Sequence, residues 1–440
     1  MRSRSVSPGE STAPLQIYLD YSATTPPRPE VIAAMQAALS EQWGNPSSLH
    51  VWGQRAATIV EQARIQVAGL LNAPPEAIVF TSGGTEADNL AIWGVAQHYL
   101  TPRHLIISQV EHSAIREPVR LLEERGWAVT RLPVNSEGWV NPLNLQLALR
   151  RDTVLVSIIY GQSEVGTLQS IAELGKICRD RGVLFHTDAV QVAGRLAIDV
   201  QTLPVDLLSL SSHKLYGPQG VGALYVRPDL ELVPLLAGGG QESQRRSGTQ
   251  AVAAIAGFGV AAQLAAQEMA IETPRLIALR DRLFAQLADT PHLIPTGVHG
   301  KALHEGEWRR LPHHVSFCVD LDGGYSAPST YGSNAPVISA LENRVTGKTI
   351  VHHMNLAGIG ISSGAACNSG KTVPSPTLLA MGYPEAVALG AIRLTLGRET
   401  TAADIDWTAF VLKQILQRLA PANCPPTSGN SWVDKIAKMH

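Results

Sequence analysis

The feature of this sequence that most constrains its fold is a repeated alternation of short apolar runs with helical patterns. Between Pro29 and about Glu272, helix-like segments alternate with the runs AIVFTS, HLIIS, TVLVSIIY and VLFHTD, and the runs VDLLSLS and VGALYV follow. Such an alternation is typical of a mostly parallel sheet with helices on both faces. In a sheet of this kind ligands bind beyond the carboxyl ends of the strands. Polar residues at those ends are therefore the first candidates for a site.

The pattern changes after about Thr273. A further helical stretch, Pro274 to Ala288, leads to the strand-like runs HHVSFCVDL, GIGISSG and AIRLTL. We therefore expect an α/β protein with a large domain over residues 28–272 and a small α/β domain made of residues 1–27 and 273–440. Within the small domain, residues 321–357 are predicted to form a surface insertion around one short helix, and the tail 421–440 to be loosely ordered.

The bulk composition limits the classes of partner. The chain has 440 residues, of which 45% are hydrophobic and 16% charged, and its net charge is −2. These values are typical of a globular protein and argue against nucleic-acid or anionic-membrane binding, so a small-molecule substrate is expected. No apolar run reaches the length of a membrane span, and the N-terminus lacks the apolar core of a secretory signal, although a transit peptide stays open. The four cysteines are widely spaced, which favours a reducing, cytoplasmic location.

Lys214 stands in an unusual setting for a lysine. It follows Ser211, Ser212 and His213 at the predicted end of a strand, and a Gly-Pro-x-Gly-x-Gly turn comes after it. Glycines let the backbone approach its neighbours closely. A lysine that is partly desolvated in a cleft becomes a nucleophile toward carbonyl carbons. A solvated loop lysine is the alternative interpretation.

Asp188 ends the apolar run VLFHTD. A buried carboxylate there needs a partner, because an unpaired buried charge is costly. A protonated pyridine nitrogen is one such partner, and the pair would keep a pyridoxal ring an electron sink while Lys214 holds its aldehyde. Gln191, in the same turn, could donate to the ring hydroxyl. The alternative is that Asp188 caps the following helix.

The stretch TSGGTEADN and the stretch SQVEHSA each follow a predicted strand. In the first, Gly84 and Thr85 open a helix, and the free N–H groups of a helix N-terminus suit a phosphate. An ordinary turn with an N-cap is the alternative. In the second, His112 could stack on a flat heteroaromatic ring and relay protons, or it could be a helix-capping or core histidine.

Cys367 differs from the other cysteines in its neighbourhood. No bulky residue occurs from Ser362 to Gly370, whereas Cys178 and Cys318 lie in apolar, periodic runs. An accessible thiol in a small-residue segment is a candidate nucleophile, and a small buried cysteine is the alternative.

Two arginines occur in AIRLTLGRET. Arg393 follows a strand-like pair, and its guanidinium fork suits the α-carboxylate of an amino acid. A surface ion pair is the alternative, more so for Arg398.

With these residues assembled, the sequence resembles the cysteine desulfurases of the class V aminotransferase group, in the long-loop branch that serves iron–sulfur cluster assembly. The likeness runs from about Tyr18 to Asp404. It rests on the ordered motifs YLDYSATTP, GNPSS, TSGGTEADN, VEHSA, HTDAVQ, SSHKLYGPQGVG, GGGQESQRRSGT, ISSGAACNSG and RLTLGRET. The resemblance implies a fold-type-I protein with a seven-stranded, mostly parallel sheet in a pyridoxal-phosphate-binding domain. It also implies a homodimer that converts L-cysteine to L-alanine and passes the sulfur to an acceptor or iron–sulfur scaffold protein.

The resemblance implies a role for each candidate residue. Lys214 would hold pyridoxal 5'-phosphate covalently and move protons, Cys367 would take the sulfur as a persulfide, and Arg393 would bind the substrate carboxylate. Asp188 would pair with the pyridine nitrogen, Gln191 would bond to the ring hydroxyl, and His112 would stack on the ring. The cofactor-binding set also includes Gly84, Thr85, Ser163, Ser211, His213 and Thr249, the last reaching the phosphate of the neighbouring subunit.

Two departures from the family pattern leave alternatives open. Gln162-Ser163-Glu164 stands where the family usually has Asn-Asn-Glu, and the insertion at 321–357 is longer than usual. A selenocysteine lyase or a cysteine/cystine C–S lyase on the same scaffold is the alternative enzyme. A non-catalytic cofactor-binding scaffold is the alternative of another class.

Overall fold

The structure is a computed structural model that describes residues 16–298, 303–304, 307–321, 344–364 and 373–420. Its helices are α1 (Pro29–Glu41), α2 (Val51–Leu70), α3 (Gly84–Ala96), α4 (Ser113–Glu123), α5 (Pro142–Ala148), α6 (Ile171–Asp180), α7 (Val252–Leu287), α8 (Gly347–Leu356), α9 (Pro376–Ala380), α10 (Glu385–Ala388) and α11 (Ala402–Leu419). Short 3-10 turns occur at Pro75–Ala77, Ser212–Lys214 and Glu242–Gln244.

The strands are β1 (Ile17–Tyr18), β2 (Ile78–Thr81), β3 (His104–Ser108), β4 (Ala128–Leu132), β5 (Thr153–Ser157), β6 (Leu184–Asp188), β7 (Leu207–Ser211), β8 (Gly222–Val226), β9 (Leu293–Pro295), β10 (Leu303–His304), β11 (Glu307–Trp308), β12 (His314–Val319), β13 (Ile359–Gly360), β14 (Ser362–Ser363) and β15 (Ala391–Thr395). Seven of them form one sheet in the order β2-β8-β7-β6-β5-β3-β4. All neighbours from β7 to β4 are parallel, and β8 alone runs antiparallel to both of its neighbours. The predicted seven-stranded, mostly parallel sheet is confirmed.

Helices cover both faces of this sheet because successive strand side chains point to opposite sides. Ile106 of β3 belongs to one buried cluster with α2 and α7, whereas its neighbours Leu105 and Ile107 belong to a second cluster with α3 and α4. Both sets are almost fully buried. This two-sided burial explains why the strands read as continuous apolar runs rather than as alternating ones.

A second, four-stranded sheet in the order β14-β15-β12-β9 forms the smaller unit. Its strands are antiparallel. The core beside it includes Leu19 near the N-terminus, Phe317 of β12 and Leu412 of α11, all fully buried. Strand β1 pairs with β13, so the N-terminal segment packs with the C-terminal part of the chain.

Helix α7 joins the two units and differs from the prediction that a separate helical stretch begins at Pro274. It continues from Val252 to Leu287 through Pro274. Proline removes one hydrogen-bond donor and normally kinks or breaks a helix. Here Ile255 and Phe258 pack into the core of the larger unit, whereas Leu279 and Leu283 pack into the core of the smaller unit. Tertiary burial on both sides of the proline outweighs its local cost.

The composition of α7 would by itself allow a membrane span, with a mean hydropathy of 1.3 over its most apolar window. The first half of the helix instead packs closely on protein. A Cβ on Gly257 would lie 2.8 Å from Met35 of α1, and one on Gly259 would lie 2.6 Å from Ala63 of α2. Its apolar residues and glycines therefore serve helix packing.

Helix α8 corrects part of the prediction for residues 321–357. Ile350 and Met354 of this helix are fully buried in the core of the smaller unit. Thr346 caps the helix by accepting a hydrogen bond from the Thr349 N–H. The C-terminal part of the segment is thus a core element rather than a surface insertion, because its two apolar side chains lie one helical turn apart on the inward face. Residues 322–343 and the tail 421–440 lie outside the described residues.

Candidate active site

Lys214 ends the short turn that follows β7, at the carboxyl edge of the larger sheet. Its Nζ donates to the carbonyl oxygens of Ser22 at 2.6 Å and Ala23 at 2.7 Å. Burial, assisted by the nearby guanidinium groups of Arg393 and Arg195, lowers the pKa of Lys214 to about 8. Desolvation disfavours the charged amine, so a sizeable neutral fraction exists near neutral pH. This is the partly desolvated lysine that the sequence predicts.

Asp188 is the last residue of β6, which lies beside β7 in parallel register with Asp188 opposite Ser209. One carboxylate oxygen accepts the Val190 N–H at 2.9 Å. Burial raises the pKa of Asp188, and the nearby His112 and Lys214 oppose that rise. Asp188 and Lys214 therefore lie at the same edge of the sheet, close enough to interact electrostatically.

His112 forms the N-cap of α4. Its Nδ1 accepts the Ala114 N–H at 3.2 Å, so Nδ1 carries a lone pair and the ring proton of the neutral form belongs on Nε2. Burial and the charge of Lys214 lower the pKa of His112, against the influence of Asp188. The capping interpretation and the ring-contact interpretation are thus compatible, because capping uses only one edge of the ring.

Gln191 lies within the same group, but its orientation differs from the prediction that it donates to a ring hydroxyl. Its Nε2 donates to the Ser22 carbonyl at 2.9 Å, the same oxygen that Lys214 binds. Its Oε1 is buried and has no hydrogen-bond partner among the residues that the structure describes. Gln191 therefore presents an acceptor, and a ring hydroxyl beside it would donate.

The expected phosphate position lies at the N-terminus of α3. A Cβ on Gly84 would lie 2.9 Å from Val190 and 3.3 Å from the Cβ of Ser211, so only glycine lets the helix start this close to the end of β7. Thr85 in the first turn is exposed. His213 bonds through Nδ1 to Thr24 at 3.1 Å, and burial lowers the pKa of His213 to about 4. A neutral histidine, two hydroxyls and helix N–H groups are donors suited to a phosphate.

Arg393 approaches from β15 of the smaller sheet and is buried. Its Nη2 contacts Asp20 at 2.8 Å, and its Nη1 donates to the Ser163 carbonyl at 3.0 Å. Its buried Nε has no hydrogen-bond partner within the described part of the chain. Ser163 thus acts here through its backbone oxygen, which also accepts from His314 at 3.0 Å.

The other candidates lie apart from this group or outside the described residues. Arg398 is half exposed and forms an ion pair with Glu268 at 3.3 Å, which is the alternative that its sequence setting left open. Thr249 is exposed in the segment before α7. Cys367 lies outside the described residues.

The ends of the segment that contains Cys367 are nevertheless held at the site. Ser362 of β14 is paired with Arg393 across the smaller sheet. On the other side, Ser375 donates a short hydrogen bond to Glu164, and Thr377 donates to the same carboxylate at 3.1 Å. Burial raises the pKa of Glu164. Residues 365–372 therefore connect one anchor beside Arg393 to a second anchor at Glu164, whose neighbour Ser163 binds Arg393 through its carbonyl.

Two buried acids were not singled out from the sequence. Glu111 accepts hydrogen bonds from the Ser108 side chain and from the Ile159 N–H at 3.0 Å, and burial raises its pKa to about 8. Asp88 lies 3.7 Å from His186. Burial and the neighbouring Asp188 raise the pKa of Asp88. Both residues occur inside the motifs TSGGTEADN and VEHSA, but their polar sequence neighbours gave no sign of burial.

The segment from Asp20 to Thr25 lies in the motif YLDYSATTP, whose residue types predict no role. Its carbonyls hold Lys214 and Gln191, and Asp20 holds Arg393. Thr25 donates to the His213 carbonyl at 2.9 Å. Backbone carbonyls leave no trace in residue type, so sequence alone could not assign them.

The group fits a phosphorylated heteroaromatic aldehyde. The unpartnered Gln191 Oε1 and Arg393 Nε, the amine of Lys214 and the buried Asp188 are what a ring hydroxyl, a substrate carboxylate, an aldehyde and a pyridine nitrogen require. Among the residues that the structure describes, no group of three or more His, Cys, Asp and Glu side chains is placed to hold a metal ion.

Comparisons with known proteins identify the family. The aminotransferase class-V family model matches residues 17–303. The chain is 42% identical over 405 residues to cysteine desulfurase IscS of Dictyoglomus turgidum, a match that covers 92% of this chain and 95% of that protein. It is 43% identical over 411 residues to cysteine desulfurase IscS of Pseudomonas entomophila, with 92% and 94% covered.

Solved structures agree with this assignment. A NifS-like protein matches with a TM-score of 0.80 and 31% identity, over 92% of this chain and 100% of that one. A NifS-like protein from Rickettsia africae matches with a TM-score of 0.76 and 29% identity, over 92% and 100%. The chain therefore belongs to the cysteine desulfurases of the class-V aminotransferase family.

Proposed function

We propose that this protein is a pyridoxal-phosphate-dependent cysteine desulfurase that converts L-cysteine to L-alanine and places the sulfur on Cys367. The observation that carries the proposal is the convergence of Lys214, Asp188 and Arg393. Lys214 follows β7, Asp188 ends the adjacent strand β6, and Arg393 comes from β15 of the second sheet. Asp188 and Arg393 both influence the pKa of Lys214. Pyridoxal phosphate, when bound, supplies the electron sink for bond breaking at the substrate α-carbon.

Each residue of the group has a task that follows from its chemistry. Lys214 holds the cofactor aldehyde and, with a pKa of about 8, can both release and take up a proton at Nζ near neutral pH. Asp188 would supply the negative charge beside the pyridine nitrogen. Gln191 would accept a hydrogen bond from the ring hydroxyl through Oε1, and the neutral His112 would present its ring without adding charge. Gly84, Thr85, Ser211 and His213 would hold the phosphate.

Arg393 orients the substrate, because its Nε adds a donor beside the two nitrogens that Asp20 and Ser163 already hold. Cys367 is the sulfur acceptor. Its thiolate bonds to the substrate sulfur as the carbon–sulfur bond breaks, and the carbon takes a proton. The balance is one cysteine and one enzyme thiol giving one alanine and one enzyme persulfide. One anchor of the Cys367 segment is paired with Arg393 and the other contacts Glu164, next to the Ser163 carbonyl that Arg393 binds, which supports this role.

The rate of cofactor uptake by the apoprotein should rise with pH and reach half of its maximum near pH 8, the pKa of Lys214. Only the neutral amine attacks an aldehyde, and below the pKa its fraction grows about tenfold per pH unit. Stopped-flow absorbance after mixing apoprotein with pyridoxal phosphate measures this rate. A midpoint at the ordinary lysine value of 10.5 would contradict a desolvated amine.

Replacing Cys367 with alanine should lower alanine formation from L-cysteine by about 10²-fold or more, since nucleophilic catalysis by the thiol is lost. The visible absorbance of the bound cofactor should remain. Alanine, sulfide and pyruvate are quantified after incubation with cysteine and a reductant. Full retention of turnover, with pyruvate and ammonia as products, would instead identify a C–S lyase, and retention with selenocysteine alone a selenocysteine lyase.

Cys178→Ser is the matched control for Cys367→Ala. Cys178 is a fully buried thiol on α6, and burial raises its pKa well above that of a free thiol. This variant should keep normal turnover. A protein that shows no turnover even as wild type, although it binds the cofactor, would be the non-catalytic scaffold.

We further propose that the protein works as a homodimer, passes sulfur to an acceptor such as an iron–sulfur scaffold protein, and resides in the cytoplasm. The exposure of Thr249 supports the dimer, because the family places this residue at the neighbouring phosphate. The two described cysteines, Cys178 and Cys318, are free and buried, which suits a reducing compartment. Sedimentation of the holoenzyme tests the dimer.

A further inference from the structure

A buried ion pair fixes the segment 238–250, which carries Thr249. The carboxylate of Glu242 accepts from Arg64 at 2.7 and 2.9 Å and from the Phe80 N–H at 2.9 Å. It also accepts from Gln250 at 2.8 Å, the residue directly after Thr249. The side chains of Glu242 and Arg64 are 1% and 9% exposed. Glu242 therefore ties both ends of the segment to α2 and β2.

The backbone around Glu242 is strained. Glu242, Ser243 and Gln244 have φ values of 48°, 55° and 66°, a left-handed region that residues other than glycine rarely adopt, and almost never three times in a row. Such a conformation persists only where its surroundings impose it, and it is concentrated at functional sites. A hydrogen bond from the Gly248 N–H to the Gln241 side chain, at 2.8 Å, closes the turn.

A second ion pair sets the segment beside the phosphate position of its own chain. Arg246 contacts Glu86 at 2.8 Å, and Glu86 also accepts the Ser82 N–H at 2.7 Å. Glu86 follows Gly84 and Thr85 in the first turn of α3. The segment thus begins at the buried Glu242 and passes the N-terminus of α3 at Arg246. It then reaches Thr249, which is exposed.

We propose that Glu242 is a positioning residue for the cofactor site of the neighbouring subunit. It holds the strained segment so that Thr249 meets the phosphate bound by the partner, and it acts through Gln250 and the Arg64 ion pair rather than by touching the cofactor. This inference rests on the proposed function, in which Thr249 is shared between subunits. The retention of cofactor in one subunit therefore depends on a buried ion pair in the other.

Mixed dimers with one cofactor-binding lysine test this dependence. In the first arrangement, a subunit with Lys214→Ala and Glu242→Gln is paired with a wild-type subunit. In the second, a Lys214→Ala subunit is paired with a Glu242→Gln subunit. Both dimers contain the same substitutions, so a general loss of stability affects them alike. They are purified through two different tags and dialysed, and the cofactor left on the remaining lysine is fixed by borohydride reduction and measured by subunit mass.

The cofactor should be lost about tenfold faster in the first arrangement, as expected when one charge-assisted contact to a phosphate is weakened. Equal loss in both arrangements, or faster loss in the second, overturns the inference. The same two arrangements built with Thr249→Ala separate this failure from failure of the proposed function. If both Thr249→Ala arrangements lose the cofactor equally, Thr249 is not shared between subunits. If the two arrangements lose it at different rates, the shared site stands and only the role of Glu242 is wrong. Glu242→Asp, which keeps the charge on a shorter side chain, replaces Glu242→Gln if the latter does not fold.

Discussion

Replacing Lys214 with alanine should remove the visible absorbance of the purified protein and lower the turnover of L-cysteine by about 10³-fold or more. The side chain is the sole amine that the described part of the chain places beside both Asp188 and Arg393, and the proposed function gives it both the covalent link and the proton transfer. An absorbance scan and alanine formation at saturating cysteine measure the two losses. The scan reports on cofactor attachment and the assay on chemistry.

Two controls separate the chemistry of Lys214 from its structural contacts. Lys176→Ala removes an exposed lysine that is paired with Asp180, and it should change neither measurement. Lys214→Arg keeps a charged donor for the Ser22 and Ala23 carbonyls, but a guanidinium does not lose its proton in proteins. It should preserve the melting temperature and still lose the absorbance. A visible band that survives in Lys214→Ala would contradict the assignment of this residue.

The sequence could predict those parts of the site that depend on residue type at a strand end. Asp188 and Lys214 follow apolar runs, and the parallel sheet brings neighbouring carboxyl ends to one edge. Their proximity is therefore a consequence of topology that the alternating pattern already contained. Arg393 was predictable as a carboxylate-binding guanidinium on a strand. Its partner Asp20, however, lies 373 residues away in sequence.

The rest depended on contacts that residue types do not encode. The carbonyls of Ser22 and Ala23 accept hydrogen bonds from Lys214. The Ser22 carbonyl also accepts from Gln191 Nε2, so Gln191 presents its oxygen to the site rather than its nitrogen. Pro274 was interpreted as a helix boundary on local propensity, but two cores hold α7 together across it. The segment that contains α8 begins Gly/Ser/Pro-rich, which predicts a surface insertion, yet Ile350 and Met354 bury one face of the helix in the core.

Replacing Asp188 with asparagine should move the stability of the apoprotein and that of the holoenzyme in opposite directions. Burial raises the pKa of Asp188, so the folded apoprotein binds this proton more tightly than the unfolded chain does. The carboxylate therefore destabilises the apoprotein increasingly as pH rises above the ordinary aspartate range near 4. Asparagine removes that penalty, and the apoprotein should gain about 1–3 kcal/mol at pH 7, a gain that disappears below about pH 4.

In the holoenzyme, the proposed function pairs the same carboxylate with the ring nitrogen, and asparagine would not balance a positive charge there. The Asp188→Asn holoenzyme should melt at a lower temperature than wild type and turn over cysteine about 10²–10³-fold more slowly, the usual cost of removing one preorganised electrostatic contact. Melting curves of both forms across pH, together with alanine assays, measure the effect.

Asp206→Asn is the matched control, because Asp206 is a largely buried aspartate directly before the neighbouring strand β7. Burial also raises its pKa, but its partners are Phe185 and Arg227. Its effect should have the same sign in both forms. A change in melting temperature of the same sign in both forms of Asp188→Asn would mean that Asp188 has only a structural role in the sheet. Such a role cannot depend on whether the cofactor is bound.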